Sequence, residues 1–210
     1  MSETTSRLSE IEGTLRRLPA AKRAVLLKSI TELFFENITE YKPAQIELFD
    51  CLFNELIVDA ETETVAALAR RLAPVANGPT KIMRQLALDD DITIAEPVLV
   101  RSPCIADSIL IDIARNKSQI HLLALACRPQ LAAEIADHLI ARGDEIAVRY
   151  VVNNKGAQIS EAGARALAER AKSDEVLAEL IAKRGDIARL VRRTAASDAG
   201  KARQNANAAA

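Results

Sequence analysis

The sequence predicts an all-α protein, a solenoid of stacked helix pairs behind an N-terminal helical cap. Three observations lead there. A helical motif recurs every 26 to 28 residues through the second half of the chain. No segment alternates apolar and polar residues over a strand length. The apolar complement is almost wholly aliphatic: aromatics are 3% of 210 residues, there is no Trp, and hydrophobic residues still make up 49%. Leu, Ile, Val and Ala let helices approach closely, and a chain of this length buries roughly 70% of the surface its unfolded form exposes, so no disulfide or metal is needed to hold it.

Residues 1–17 read as a partly ordered N-terminus, 18–88 as the helical cap, 89–194 as the helix-pair repeats and 195–210 as a flexible tail. From Leu18, LPAAKRAVLLKSITELFFENI sets Leu26, Leu27, Ile30, Leu33 and Phe34 at helical spacing, with Pro19 where a first-turn proline is tolerated. Tyr41-Lys42-Pro43 breaks that helix, and a second stripe follows at Ile46, Phe49, Leu52, Phe53, Leu56 and Ile57. Val65, Leu68, Ala69 and Leu72 mark a third helix, which Asn77-Gly78-Pro79 ends.

The repeat then emerges from three superimposable segments, SPCIADSILIDIARN, RPQLAAEIADHLIARG and GAQISEAGARALAERA. With Ile105, Leu131 and Ile159 equivalent, Ile109, Ile135 and Gly163 stand four residues on and Ile113, Leu139 and Leu167 eight on, which is one helical face. A further copy begins at Ile187, and Ile82, Leu86 and Ala87 form a weaker predecessor. Between these helices lies a second set, Ile94 to Val100, Ile120 to Ala126, Ile146 to Val152 and Val176 to Ala182. Asp91, Ser118, Asp144, Asp174 and Asp186 stand where N-caps are needed, and Gly143 and Gly185 where left-handed C-caps are needed. Pro97, inside the first leading helix, is expected to kink or restart it. A single pair cannot bury its own apolar stripe, and stacking neighbours supplies the missing cover.

The ordered string IELFDCLFNELI, LARRLAPVANGPTKIMRQLALDDDITIAEPVLVRS, HLLALACRPQLAAEIADHLIARGDE and VVNNKGAQIS resembles an uncharacterised family found mainly in alphaproteobacteria, domain of unknown function 2336. The likeness runs from about Leu15 to Ile187. It implies a fold similar to HEAT-type helical repeats and supplies no activity. Members are often longer at the C-terminus, which implies that a partner-binding or regulatory extension is absent from this chain.

Chemistry is sparse. The two histidines, His121 and His138, have no carboxylate or cysteine at ligand spacing and read as packing or surface residues. Asp89-Asp90-Asp91 lacks the glycine and spaced oxygens of a calcium loop and reads as a helix cap with acidic neighbours. Arg142-Gly143-Asp144 and Arg184-Gly185-Asp186 read as a helix end, its cap and the next N-cap. Asn153-Asn154-Lys155-Gly156 reads as a turn. Cys51, Cys104 and Cys127 are an odd number without CxxC spacing, and they read as inert buried or helix-end thiols. No phosphate loop, serine elbow or paired-carboxylate motif appears, so the sequence points to no catalytic residue, no cofactor and no metal.

The surface candidates come from the repeated helices. Arg115, Arg142 and Arg170 stand ten or eleven residues after the equivalent apolar positions and make a loose ladder of guanidinium groups, with Arg165, Asp107 and Glu161 beside them. The reading that follows is a cytoplasmic, non-catalytic scaffold or regulator that binds a protein or peptide. A membrane is excluded as partner because the longest apolar run, Leu122 to Cys127, is short. Nucleic acid is disfavoured by a formal net charge of −1, from 28 basic and 29 acidic residues. The alternatives are a nucleic-acid-binding or DNA-repair protein of the helical-repeat type, and a small-molecule sensor holding its ligand near Phe34, Phe35, Phe49 and Phe53, which otherwise read as core.

Overall fold

A computed structural model describes residues 13–15 and 17–208, with side chains to residue 200. The N-terminal segment expected at 1–17 lies largely outside these residues. Every regular element among the described residues is helical, and there is no strand; one isolated parallel bridge joins Leu131 and Ala157.

The chain divides into two compact units, residues 1–105 and 106–210. The first unit holds α1 (Ala20–Glu36), α2 (Pro43–Leu56), α3 (Thr62–Leu72), α4 (Thr80–Ala87) and α5 (Ile92–Arg101). Here α2 packs on α4 and α3 on α5, while α1 packs on α2 and α4 on α5. Phe34, Phe49 and Phe53 are core and Phe35 is half-buried: Phe34 and Phe53 are fully buried, and Phe34 meets Phe49 and Phe53 edge-on with ring centres 5.0 and 5.7 Å apart. Pro43 opens α2 at a position that needs no N–H, and Gln45 Oε1 accepts the Lys42 N–H at 2.9 Å.

The second unit holds α6 (Asp107–Asn116), α7 (Gln119–Ala126), α8 (Ala133–Arg142), α9 (Glu145–Asn153), α10 (Glu161–Arg170), α11 (Glu175–Lys183) and α12 (Gly185–Ala208). Its helices fall into two rows. In one, α6 packs on α8, α8 on α10 and α10 on α12; in the other, α7 packs on α9 and α9 on α11. The periodic positions are the reason. Leu131, Ile135, Leu139, Ile113, Leu167 and Ile187 are all buried, and Ile105, in the first unit, is buried too. Ile159 is half-buried.

Several local expectations change. Asp91, Asp144 and Asp174 do cap, accepting the N–H groups of Thr93, Ala147 and Leu177. Ser118 occupies its N-cap position without that bond, because its hydroxyl sits 2.8 Å from His121 Nδ1 instead. Asp186 is inside the first turn of α12 and pairs with Arg184 at 3.1 Å. Neither Gly143 nor Gly185 is left-handed: no described glycine has positive φ, Gly143 is extended (φ −62°, ψ 147°), and Gly185 begins α12. Gly143 is explained by space, since a Cβ there would press on the Leu139 carbonyl and on Ala147. Pro97 does not restart α5, which runs unbroken through it. The segment expected to fray is helical as far as Ala208. Cys127 is exposed at the C-cap of α7, a helix end, and none of the three cysteines is in a disulfide.

Candidate interaction surface

A helix leaves its last four carbonyls without intrahelical partners, and in the second unit a later segment supplies donors to them. In the α6 row, the Arg142 guanidinium at the end of α8 donates to Ala114 O at 2.5 Å and Lys117 O at 3.2 Å, at the end of α6. Arg170, at the end of α10, repeats the move on Ala141 O of α8 at 3.1 Å. In the other row, Asn154 Nδ2 after α9 donates to Ala126 O and Arg128 O after α7, at 3.1 and 2.6 Å. Arg184, after α11, donates to Val152 O at 3.1 Å, to Ala157 O at 2.7 Å and to Asn154 O. Guanidinium donors at a helix C-terminus are favoured twice, by the free carbonyls and by the negative end of the dipole.

All six candidates therefore lie on the α6, α8 and α10 row, but most are occupied within the unit. Arg142 and Arg170 hold neighbouring helix ends. Arg115 donates to His138 Nε2 at 3.0 Å and lies 3.8 Å from Glu134. Arg165 pairs with Asp198 at 3.0 Å, and Glu161 accepts from Arg193 at 2.8 Å, so both tie α10 to α12. Asp107, in the first turn of α6, faces the charge of Arg128, whose pKa burial lowers and Asp107 raises.

The second row carries what the sequence reading did not isolate. Ile120, Ile146 and Val176 are 51%, 54% and 51% exposed, and each is the second residue of its helix, α7, α9 and α11. The three helices share one rotational setting. In each the third and seventh residues are buried, His121 and Leu125, Ala147 and Val151, Leu177 and Ile181, so the second residues point the same way out of the row. Tyr150, four residues after Ile146, is 50% exposed on the same helix face. The signal was present, because these residues open the in-register segments at Ile120, Ile146 and Val176. Their exposure depends on helix phase, which hydrophobicity alone hides.

Between α9 and α11, Arg149 makes a two-pronged pair with Asp174, at 3.1 and 2.8 Å, and reaches Glu145 at 3.3 Å. The Arg149 hydrogen bond, aided by the Leu177 N–H, holds the Asp174 carboxyl below its ordinary pKa, and Asp174 in turn raises that of Arg149.

In the first unit, a cleft of about 390 Å³ between α1 and α3 has Leu27, Ala67 and Leu68 in its lining together with the Arg71 and Glu32 pair, which closes at 2.6 Å. That pair lowers the Glu32 pKa. Among the described residues, no three His, Cys, Asp or Glu side chains gather as a metal site requires, and no helix is long and apolar enough to cross a membrane.

A family model described as an uncharacterised protein conserved in bacteria, domain of unknown function 2336, matches residues 94–209, from α5 to past the end of α12. No curated protein and no solved structure matches the chain.

Proposed function

We propose that this chain, which belongs to that uncharacterised bacterial family, is a non-catalytic cytoplasmic scaffold whose second unit is a short HEAT-like solenoid that docks a partner protein. The observation that carries this reading is the apolar stripe of Ile120, Ile146, Tyr150 and Val176. Single exposed aliphatic residues are ordinary on any surface, whereas the same helical position left apolar and open on three packed neighbours is a repeated feature that packing within the unit does not use. Its frame suits the role. The donors that cap each preceding helix end fix the spacing of the row, so the stripe is presented preformed and binding costs little ordering entropy.

Affinity capture from the source cell tests this, with the wild-type chain and an Ile120→Ser/Ile146→Ser/Val176→Ser variant compared side by side. A protein retained by the first and lost from the second is the expected outcome. Identical retention on both moves the docking face away from this row. Reversing the arginine ladder is a poorer probe, since Arg142 and Arg170 hold helix ends together and their loss disturbs the frame itself.

A further inference from the structure

We infer that the stripe receives a basic amphipathic helix of another protein, an inference that rests on the docking role proposed above and adds the chemistry of the occupant. The stripe runs across α7, α9 and α11, one apolar side chain per helix, with Tyr150 widening it at α9. With packed helices about 8–10 Å apart, a partner helix laid across the row meets successive points with residues about seven apart, and those three and four apart fill the space between, on the i, i+3, i+4, i+7 pattern of helix recognition. Tyr150 supplies the amphipathic aromatic that such interfaces favour, apolar in the ring and polar at the hydroxyl.

Charge selects the partner. The three helices with their N-cap residues carry five carboxylates, Asp144, Glu145, Asp174, Glu175 and Glu179, against two cations, Arg149 and Lys183. Both cations are already committed, Arg149 to Asp174 and Glu145, and Lys183 to Glu179 at 3.4 Å. Asp144 and Asp174 serve helix N-termini, while Glu145, Glu175 and Glu179 face solvent. All five carboxylates belong to α9 and α11, since α7 carries none, and this acidic rim on the α9 and α11 part of the stripe attracts a helix with Lys or Arg beside its apolar face and repels anionic lipid and nucleic acid. A second copy of the chain does not fit. Its basic helix is α12, with five cations against two carboxylates, but α12 packs on α10 and α11 and its inward residues Ile187 and Thr194 are already buried.

The test uses the full chain and two fluorescein-labelled amphipathic peptides of about five turns, one of Leu and Lys and one of Leu and Glu on the same pattern, read by anisotropy. The Leu/Lys peptide is expected to bind roughly tenfold tighter than the Leu/Glu peptide at low salt, with the gap closing as salt rises. Ile146→Ser/Val176→Ser should weaken it by about tenfold, and Glu175→Lys/Glu179→Lys should weaken the Leu/Lys peptide alone; circular dichroism checks that each variant keeps its helices. If the Leu/Glu peptide binds equally or better and the Ile146/Val176 variant still loses it, the basic partner is overturned while docking on the stripe stands. Absence of binding by either peptide, or binding indifferent to the Ile146/Val176 substitutions, overturns the inference. So does sedimentation of the wild type as a dimer that the same variant makes monomeric, which would identify a second copy as the occupant.

Discussion

Asp50 shows how much one side chain organises. It lies in α2, is 3% exposed, and accepts the backbone N–H groups of Lys81 at 2.8 Å and Ile82 at 2.7 Å, two otherwise orphaned donors in the first turn of α4. The residue at the cap position of α4 is Pro79, which has no side-chain acceptor to offer. Asp50→Ala should therefore destabilise the fold by about 2 kcal/mol, because it strands one buried and one part-buried donor, and Asp50→Asn by less, since one acceptor remains. Urea unfolding measures both. Gly156 makes a sharper point, because a Cβ there would collide with the Pro129 carbonyl, a backbone atom that cannot turn aside, while Gly185 has open space around it. Gly156→Ala should lower Tm and Gly185→Ala should not; equal effects would show that the loop before α10 yields. Asp174 links charge to pH. Its folded pKa is depressed, so its stabilising pairing is fully present above the ordinary aspartate value of about 3.9 and fades as pH falls below that toward the folded value. Acid unfolding of Asp174→Asn should accordingly be less steep than that of the wild type across that range.

At the scale of elements, the periodic apolar face was legible except at Ile109 and Ile159, which are half-buried, because a buried stripe repeats in sequence whenever helices of equal phase stack. The arginine ladder was legible as a pattern but not as a purpose. Arg142 and Arg170 recur at matching places, yet the carbonyls they meet, Ala114 O and Ala141 O, lie 28 and 29 residues earlier, and backbone acceptors leave no trace in side-chain sequence. Gly143 and Gly185 misled for a related reason: glycine signals either a left-handed turn or a close approach, and Gly143 answers to the second. Capping across the row implies a graded response to deletion. Arg184→Met removes donors from the carbonyls of Val152, Asn154 and Ala157 and should cost about 2–3 kcal/mol, whereas Arg170→Met removes one exposed bond and should cost about 1 kcal/mol or less. Thermal unfolding of the two variants in parallel ranks them, and a reversed order would show that α8 depends on its staple more than α9 does.

At the scale of the whole molecule, a formal net charge of −1 conceals segregation. α9 and α11 with their N-cap residues carry five carboxylates against two cations and α12 carries five cations against two carboxylates, and each sign has its own consequence. Composition alone could dismiss a protein-wide field for nucleic acid, but locating the acidic rim required knowing which helices are neighbours. The basic helix offers phosphate binding a foothold, so it is where the nucleic-acid alternative should be tested. Arg193 is paired with Glu161 and Asp198 with Arg165, leaving Arg189 and Arg192 as the exposed cations among the described side chains of α12 without a carboxylate partner. Two phosphate contacts release few counterions, and the logarithm of affinity then falls with that of salt by a slope of about −0.9 per contact. A duplex DNA titration should accordingly show only weak binding at low salt, with a slope near −2 or shallower, and none at physiological ionic strength. A steep slope, abolished by Arg189→Ala/Arg192→Ala, would mean that the cations of α12 and not the apolar row define what this protein recognises.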